Sequence, residues 1–293
     1  MYDFSALYQA KSVQDAIKLK LAHPEAVLIA GGSDVLIKMR EGKIAGCELI
    51  SIYTLDELRG VALDSNATLR ILPLTSFSHV TKDPLIQKYV PVLGEAVDQA
   101  GGPQLRNIGT IGGNICNGVT SADSASTLFA YDAVLEITGS RGQRRINIQE
   151  FYKGPGKVSL EKDELLTAIL IKKESYENCF GHYMKYAMRN AMDIATIGCS
   201  ANVVLSADKC SIQRVRIGYG VAGPIPLRAT AAEETAKGRI VCQNSVDEIA
   251  KATLRSVNPR TSWRATAQFR MHIIEESARR ALTAAIIRAG GAL

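Results

Sequence analysis

Two glycine-rich segments, about 80 residues apart, are the parts of this 293-residue sequence best suited to chemistry. The first is Gly31-Gly32-Ser33-Asp34, directly after the apolar run 26–30, and the second spans residues 108–118. Glycine lets a ligand approach the backbone N–H groups because no Cβ stands in the way. Successive amides in such turns bind anions, and a diphosphate is a common fit. The two segments together could therefore bind one dinucleotide from two sides, whereas either segment alone also fits an ordinary tight turn.

Other nucleotide-binding motifs are less convincing. Neither segment is a Walker A loop, because no Gly-Lys-Ser/Thr follows it. The stretch 218–223, GYGVAG, has the GxGxxG spacing of a Rossmann fingerprint. That motif must open a helix, whereas Pro224 and Pro226 follow at once. We interpret this stretch as a turn that ends a strand.

The sequence shows no acid–base or nucleophile motif of its own. The four histidines lie far apart, and no hydrolase elbow, metalloprotease motif or spaced carboxylate pair is present. We therefore predict no catalytic side chain and expect a cofactor to supply the chemistry. The six cysteines are at least eleven residues apart, which argues against a zinc knuckle, an iron–sulfur cluster held by this chain, or a disulfide scaffold. Scattered thiols of this kind are typical of a cytosolic protein.

Composition narrows the class of protein further. Hydrophobic residues make up 46% and charged residues 22%, which excludes a disordered or fibrous chain. No apolar run reaches the ~20 residues of a membrane helix, and the N-terminus lacks a secretion signal. The net charge of +6 lies in segment 251–293, with eight Lys or Arg and two acidic residues. That segment is a solvated helix face or a docking surface for an acidic partner. Nucleic acid is the least favoured partner, because aromatic residues are only 6%.

Hydrophobic periodicity predicts an α+β chain. Residues 1–56 indicate a β-α-β unit with a further strand, in which Ser12 starts the helix and 26–30 is a buried strand. Residues 57–176 alternate short strands and helices, have an irregular connection at 147–163, and close with a strand at 165–171. Residues 177–293 indicate a three-stranded antiparallel meander followed by helices at 227–237, 246–256 and 265–288. We predict domains 1–176 and 177–293, the first with subdomains of about 1–56 and 57–176.

Four segments carry a family resemblance, in chain order: 30–36 (AGGSDVL), 110–115 (TIGGNI), 216–229 and 263–270 (WRATAQFR). They resemble motifs of the FAD-binding subunits of molybdenum hydroxylases, most strongly the separate FAD subunit of bacterial xanthine dehydrogenases. The resemblance implies a vanillyl-alcohol-oxidase (PCMH)-type FAD-binding domain of two α+β subdomains that clasp the cofactor. A C-terminal domain with a three-stranded antiparallel sheet and helices would follow it.

The resemblance also implies which residues hold FAD. Backbone groups of the two glycine-rich segments, with Asn114, would hold the diphosphate and its surroundings. These residues are Val27, Leu28, Ile29, Ala30, Gly31, Gly32, Ser33 and Asp34 in the first segment, and Gly109, Thr110, Ile111, Gly112, Gly113 and Asn114 in the second.

Four further positions match the family outside those segments, and one position departs from it. Asp123 matches a residue that contacts the cofactor, although a helix N-cap is an equal alternative. Leu165 matches a residue that contacts the adenine or ribose end of FAD, although it fits a core leucine equally well. Lys185 matches a flavin-region lysine; without the resemblance it would be an ordinary surface lysine. Ile194 matches a residue that covers the flavin ring. Ala100 falls where some relatives have an aromatic residue, so this chain lacks that stack or supplies it from elsewhere.

The function implied is electron exit from a cytosolic xanthine dehydrogenase complex. A molybdopterin-binding large subunit would oxidise hypoxanthine or xanthine, a [2Fe–2S] small subunit would carry the electrons, and the FAD of this chain would pass them to NAD⁺. The assembly would be a heterotrimer, with its dimerisation left open. The alternatives are the FAD subunit of an aldehyde, CO or nicotinate-type hydroxylase, a stand-alone flavin oxidase, or a regulatory nucleotide-binding module. The extra cysteines of the hydroxybenzoyl-CoA reductase branch are absent.

Overall fold

A computed structural model describes residues 2–293. Its first sheet has three parallel strands in the order β1-β3-β2. The Ser12 hydroxyl accepts a hydrogen bond from the Asp15 amide at 3.0 Å and so caps the first helix, as predicted. The expected β-α-β unit with a further strand is therefore confirmed. Its elements are β1 (Phe4–Gln9), α1 (Val13–Ala22), β2 (Val27–Ile29), α2 (Val35–Arg40) and β3 (Cys47–Ser51).

The second sheet is antiparallel and has five strands in the order β4-β5-β10-β6-β7. Apolar residues of its inner face pack with the helices into the second core, whereas the first core lies between α1 and the first sheet. The connection predicted as irregular holds a short helix and a two-stranded hairpin. The elements are β4 (Val61–Leu63), β5 (Leu69–Ile71), α3 (Phe77–Lys82), α4 (Pro84–Tyr89), α5 (Pro91–Asp98), α6 (Pro103–Ile108), α7 (Ile111–Cys116), α8 (Asp123–Ala130), β6 (Val134–Gly139), β7 (Gly142–Asn147), α9 (Ile148–Phe151), β8 (Tyr152–Gly154), β9 (Lys157–Val158) and β10 (Leu165–Ile171).

The third sheet is the predicted antiparallel meander with one addition. A fourth strand of two residues, Leu227–Arg228, pairs with the end of the third strand, so the helix predicted from residue 227 begins at Thr230 instead. Sheet pairing has overridden local helix propensity there. The elements are α10 (Lys173–Tyr176), β11 (Phe180–Tyr186), β12 (Ile197–Leu205), β13 (Ile212–Gly220), β14 (Leu227–Arg228), α11 (Thr230–Ala236), α12 (Gln243–Ala252) and α13 (Ala267–Arg288).

Helix α8 lies between the second core and the third sheet, and every one of its residues is buried. Gly218 on β13 makes this packing possible, because a Cβ there would lie 2.0 Å from the Ser126 carbonyl oxygen of α8. The strand β13 ends at Gly220, so residues 218–223 form the end of a strand, as predicted, and do not open a helix.

The predicted α+β class is confirmed, with a parallel and an antiparallel sheet followed by an antiparallel meander with helices. We propose the division 1–176 and 177–293, because α10 ends at Tyr176 and the third sheet starts at Phe180. No helix within residues 2–293 is both long enough and apolar enough to cross a membrane.

Candidate functional site

The first glycine-rich segment is an open loop between β2 and α2. Within the described chain, the five amides from Ala30 to Asp34 donate to no protein acceptor. Gly32 has φ +75°, a conformation that side chains other than glycine rarely adopt. A row of free backbone donors of this kind suits an anion.

Strand β2, which leads into this loop, is more exposed than the sequence predicts. Ala26 is buried, but Val27, Leu28 and Ile29 are each only half-buried, so the prediction of a buried strand is wrong for β2. The reason is topological, because β2 is an edge strand of the first sheet. Its side chains remain available to a ligand beside the loop.

The fold brings the two glycine-rich segments into direct contact. A Cβ on Gly31 would lie 1.9 Å from the carbonyl oxygen of Ile108, at the start of the second segment. A second contact joins the two regions, because the Lys38 ammonium of α2 donates a hydrogen bond to Asn117 Oδ1 of the second segment at 2.7 Å. The segments therefore face each other, and glycine at position 31 is a condition for it.

The second segment contributes less free backbone than the sequence suggests. It opens α7, and its amides are used: Ile111 donates to Thr75, Gly112 to Pro73, and Gly113 to the Thr110 hydroxyl at 3.1 Å. These bonds satisfy the start of the helix internally. A Cβ on Gly112 would lie 2.7 Å from the Pro73 carbonyl oxygen, so this glycine serves packing.

Asn114 is the polar side chain that this segment offers. Its Oδ1 accepts a hydrogen bond from the Ser124 hydroxyl at 2.6 Å, which holds the amide group in place. Asn114 is half-buried and Gly113 is exposed, so both remain accessible next to the loop 30–34.

Asp123 and Lys185, which are far apart in the sequence, form a buried ion pair. Lys185 Nζ lies 3.0 Å from Asp123 Oδ2, and it also donates to the Gln99 carbonyl oxygen at 2.9 Å. The Lys185 side chain is only 7% exposed, so it is not an ordinary surface lysine. Asp123 is the first residue of α8 and does not cap it, since the N-cap is Ala122.

Tyr183 is the third residue of the cluster that contains Asp123 and Lys185. Its hydroxyl donates to Asp123 Oδ1 at 2.7 Å, and its ring is buried. Burial raises the pKa of the Asp123 carboxyl, while the Lys185 charge and the Tyr183 hydrogen bond hold that rise back. Because Tyr183 and Lys185 are two residues apart on β11, they lie on the same face of the sheet.

A cavity of about 470 Å³ lies at the Lys185 end of the cluster. It is lined by the residues just before α6 and by the loop that joins β11 to β12. Its cations have carboxylate partners: Arg106 lies 3.2 Å from Asp98 and Arg189 lies 3.7 Å from Asp193.

The remaining predicted positions fall in different surroundings. Ile194 is 49% exposed, on the loop that borders the cavity. Leu165 is buried in the first core, which favours its role as a core leucine and leaves little side-chain surface for a ligand. Ala100 is buried in the second core, directly before the cavity residue Gly101. Met192 lies near the neighbouring Gly102, with its sulfur 3.5 Å from the position of a Cβ there.

Comparison with known families identifies the family of this chain. Residues 2–172 match the FAD binding domain in molybdopterin dehydrogenase, and residues 182–285 match the CO dehydrogenase flavoprotein C-terminal domain. The chain belongs to the FAD-binding family of the molybdopterin dehydrogenases. The family resemblance drawn from the sequence motifs is confirmed.

Two relatives and one solved structure cover between 81% and 100% of this chain. A putative xanthine dehydrogenase FAD-binding subunit of Escherichia coli (strain K12) is 42% identical over 293 residues, 100% of both chains. The nicotinate dehydrogenase FAD-subunit of Eubacterium barkeri is 31% identical over 244 residues, 81% of each. A solved carbon monoxide dehydrogenase from Hydrogenophaga pseudoflava superposes with a TM-score of 0.93 at 28% identity, covering 98% of this chain and 99% of that one.

The residues present fit the FAD of this family. The diphosphate bridge of FAD is an anion, and the free amides of loop 30–34 are the neutral donors that backbone nests offer to anions. The Asn114 amide lies on the second glycine-rich segment, which faces that loop. Lys185 supplies a cation at the cavity of about 470 Å³. Among residues 2–293, no group of three or more His, Cys, Asp or Glu side chains is placed to hold a metal ion.

Sequence reasoning missed Tyr183 and the Gln99 carbonyl, although both hold the Asp123–Lys185 pair of this flavoprotein. A signal for Tyr183 was available, because residues at i and i+2 of a strand share a face. No sequence signal pointed to Gln99, since a backbone carbonyl carries no residue identity.

Proposed function

We propose that this chain is the FAD subunit of a xanthine dehydrogenase-type molybdenum hydroxylase. In this proposal it accepts electrons from [2Fe–2S] clusters of one partner subunit and delivers them to NAD⁺, while a molybdopterin-binding partner oxidises hypoxanthine or xanthine. The observation that carries the proposal is the 42% identity to a xanthine dehydrogenase FAD-binding subunit over the full length of both chains. The 31% identity to a nicotinate dehydrogenase subunit makes nicotinate oxidation the second candidate.

Bound FAD would supply the exchange between single-electron and two-electron transfer. The chain's own task is then to bind and orient that group. Loop 30–34 would bind the diphosphate through its free amides, together with the half-buried strand β2 and, from the facing segment, residues 109–114. The Lys185 ammonium, held by Asp123 and Gln99, would place a positive charge beside the ring, with Ile194 over it. Leu165 would border the adenine end.

A cytoplasmic location and a heterotrimeric assembly belong to the same proposal. The six cysteines are free thiols in the described part of the chain, which supports a reducing compartment. We also propose that this subunit has no catalytic side chain and that the ion pair of Asp123 and Lys185 serves the bound cofactor.

The test has two stages. First, the purified chain is titrated with FAD, and we expect one FAD per chain with a flavin absorption spectrum. Second, the chain is co-expressed with its molybdopterin and iron–sulfur subunits, and the complex is assayed with hypoxanthine or nicotinate and NAD⁺. NADH formation from hypoxanthine supports the proposal, and NADH formation from nicotinate alone selects the second candidate. A chain that binds no FAD would refute both.

A further inference from the structure

A long acid-free stretch precedes and enters the last helix. Residues 249–274 contain no Asp or Glu, but they contain five Lys or Arg. The later arginines of α13 have partners: Arg279 and Arg280 bond to acidic residues of α12 and α13, and Arg288 bonds to Glu95. The positive charges after residue 274 are therefore largely neutralised by acidic partners. The unpaired positive charge of the C-terminal segment lies in residues 249–274.

Arg270 shows how unusual that charge is. Its side chain is 2% exposed, yet it donates to the Thr196 carbonyl oxygen and to the Ser262 hydroxyl at 2.9 Å and meets no carboxylate within the described residues. Its Nε atom is buried without a partner, and so is Nε of Arg264. Burial lowers the pKa of the Arg270 guanidinium, and the nearby charges of Arg260 and Arg264 lower it further. Burying a charge without an opposite charge costs stability.

Aromatic side chains lie beside these arginines and face solvent. Trp263, the single tryptophan of the sequence, is 76% exposed, and the Arg264 guanidinium lies over its ring at 4.2 Å. Phe269 is 42% exposed. We call Arg260, Trp263, Arg264 and Phe269, with Arg270 beneath them, the arginine–tryptophan surface. Tryptophan and arginine are the residues most enriched in the energetic centres of protein interfaces.

This surface borders the Lys185 cavity. The Phe269 ring meets the ring of Tyr186 edge-on at 5.9 Å, and Tyr186 lines the cavity. Arg270 holds Thr196 at the end of the loop that joins β11 to β12, whose residues also line the cavity. A protein bound to the surface would therefore lie next to the group bound there.

We propose that the arginine–tryptophan surface docks an acidic face of the iron–sulfur subunit. Carboxylates of that subunit would pair with exposed Arg260 and with half-buried Arg264 in the bidentate geometry that guanidinium favours, and Trp263 would enter an apolar pocket. The occupant is an electron donor because the surface adjoins the cavity, and it is acidic because the surface has no carboxylate of its own. The inference rests on the proposed function, since that function supplies the partner.

The experiment measures binding of the purified, FAD-loaded chain to its co-encoded iron–sulfur subunit. The Kd is compared for the natural chain, Trp263→Ala, Arg264→Ala and the control Arg280→Ala, which removes an exposed arginine paired to Glu276 within α13. We expect Trp263→Ala and Arg264→Ala to raise Kd by about 30-fold, the effect of an interface hot spot of ~2 kcal/mol. The control should leave Kd unchanged. The natural Kd should rise with ionic strength, and this rise should be smaller in Arg264→Ala.

The outcomes separate the two proposals. FAD affinity of the isolated chain is measured for every variant, and it should not change, because these residues contact neither glycine-rich segment. If the natural chain binds the iron–sulfur subunit and both variants bind it equally well, the surface is refuted while the proposed function stands. If both variants instead abolish self-association of the chain, the occupant is a second copy and the proposal is wrong. If the natural chain does not bind the subunit, both proposals fail.

Discussion

At the scale of single residues, the buried pair of Asp123 and Lys185 decides how charge is placed beside the cavity. Lys185 has two of its N–H groups committed to Asp123 and Gln99, so the ammonium is fixed in position. Lys185→Met should lower the reduction potential of bound FAD, because a nearby cation favours added negative charge on the ring. The potential is measured by equilibration with redox dyes. Lys251→Met, on the exposed side of α12, is the control, and an unchanged potential in Lys185→Met would remove this residue from the mechanism.

Tyr183 offers a residue-scale prediction about pH. Tyr183→Phe removes the hydrogen bond to Asp123, so the raised pKa of that carboxyl should rise further. A carboxyl whose pKa is raised by folding stabilises the protein at acid pH and loses this contribution as pH rises through the folded-state pKa. The variant should therefore lose about 1–2 kcal/mol of unfolding free energy at pH 8 and less at pH 4, as measured by urea denaturation.

Tyr219→Phe is the matched control for that measurement. Tyr219 is also buried, but its hydroxyl donates to a neutral acceptor, the Ile274 carbonyl oxygen, at 2.7 Å. Its loss should cost a similar free energy at both pH values. Parallel losses in the two variants would show that the Asp123 charge plays no part.

At the scale of elements, the contact between loop 30–34 and the start of the second segment depends on Gly31. Gly31→Ala would place a Cβ 1.9 Å from the Ile108 carbonyl oxygen, so the segments must move apart. We expect a loss of about 1–3 kcal/mol in stability and FAD binding that is weaker by about tenfold, since tenfold corresponds to 1.4 kcal/mol.

Gly94→Ala tests whether glycine replacement by itself has this effect. Gly94 lies in α5, where a Cβ would meet its nearest atoms at ordinary contact distance, 3.6 Å. Alanine there should leave FAD affinity unchanged and stability equal or higher, because alanine favours a helix. Equal FAD affinities for Gly31→Ala and the natural chain, in a fluorescence titration, would contradict the proposed role of the contact.

The elements could be predicted from the sequence more fully than the site. Ser12 predicted the start of α1, and hydrophobic periodicity predicted the strands of the meander that include β12, because these signals are local. The Asp123–Lys185 pair joins residues 62 positions apart, and only the resemblance pointed to either. The internal use of the Ile111 and Gly112 amides could not be predicted, because a sequence cannot show that the Thr75 and Pro73 carbonyl oxygens accept them. The exposure of β2 was missed for a similar reason, since edge position is a property of the sheet order.

At the scale of the whole molecule, α8 couples the FAD-binding region to the C-terminal sheet. One side of the helix belongs to the second core, and the other packs on β12 and β13. Asp132, which follows α8, forms ion pairs with Arg228 at 2.9 Å and with Arg216 at 3.4 Å. Asp123 and Lys185, which we propose as FAD-site residues, lie on opposite sides of this junction, so their ion pair exists only while the two regions remain docked.

Gly218→Val should break that coupling. Its Cβ would overlap the Ser126 carbonyl oxygen at 2.0 Å, so α8 could not keep its place on β13. In the natural chain, we expect Trp263 fluorescence, which reports on the C-terminal region, and far-UV circular dichroism to show one shared urea transition. In Gly218→Val, the fluorescence transition and the circular dichroism transition should occur at different urea concentrations. FAD at 100 times its Kd should stabilise this variant by less than the ~2.7 kcal/mol expected for such a ligand. Coincident transitions in Gly218→Val, with full stabilisation by FAD, would mean that the regions are coupled by the Asp132 ion pairs and not by the packing of α8.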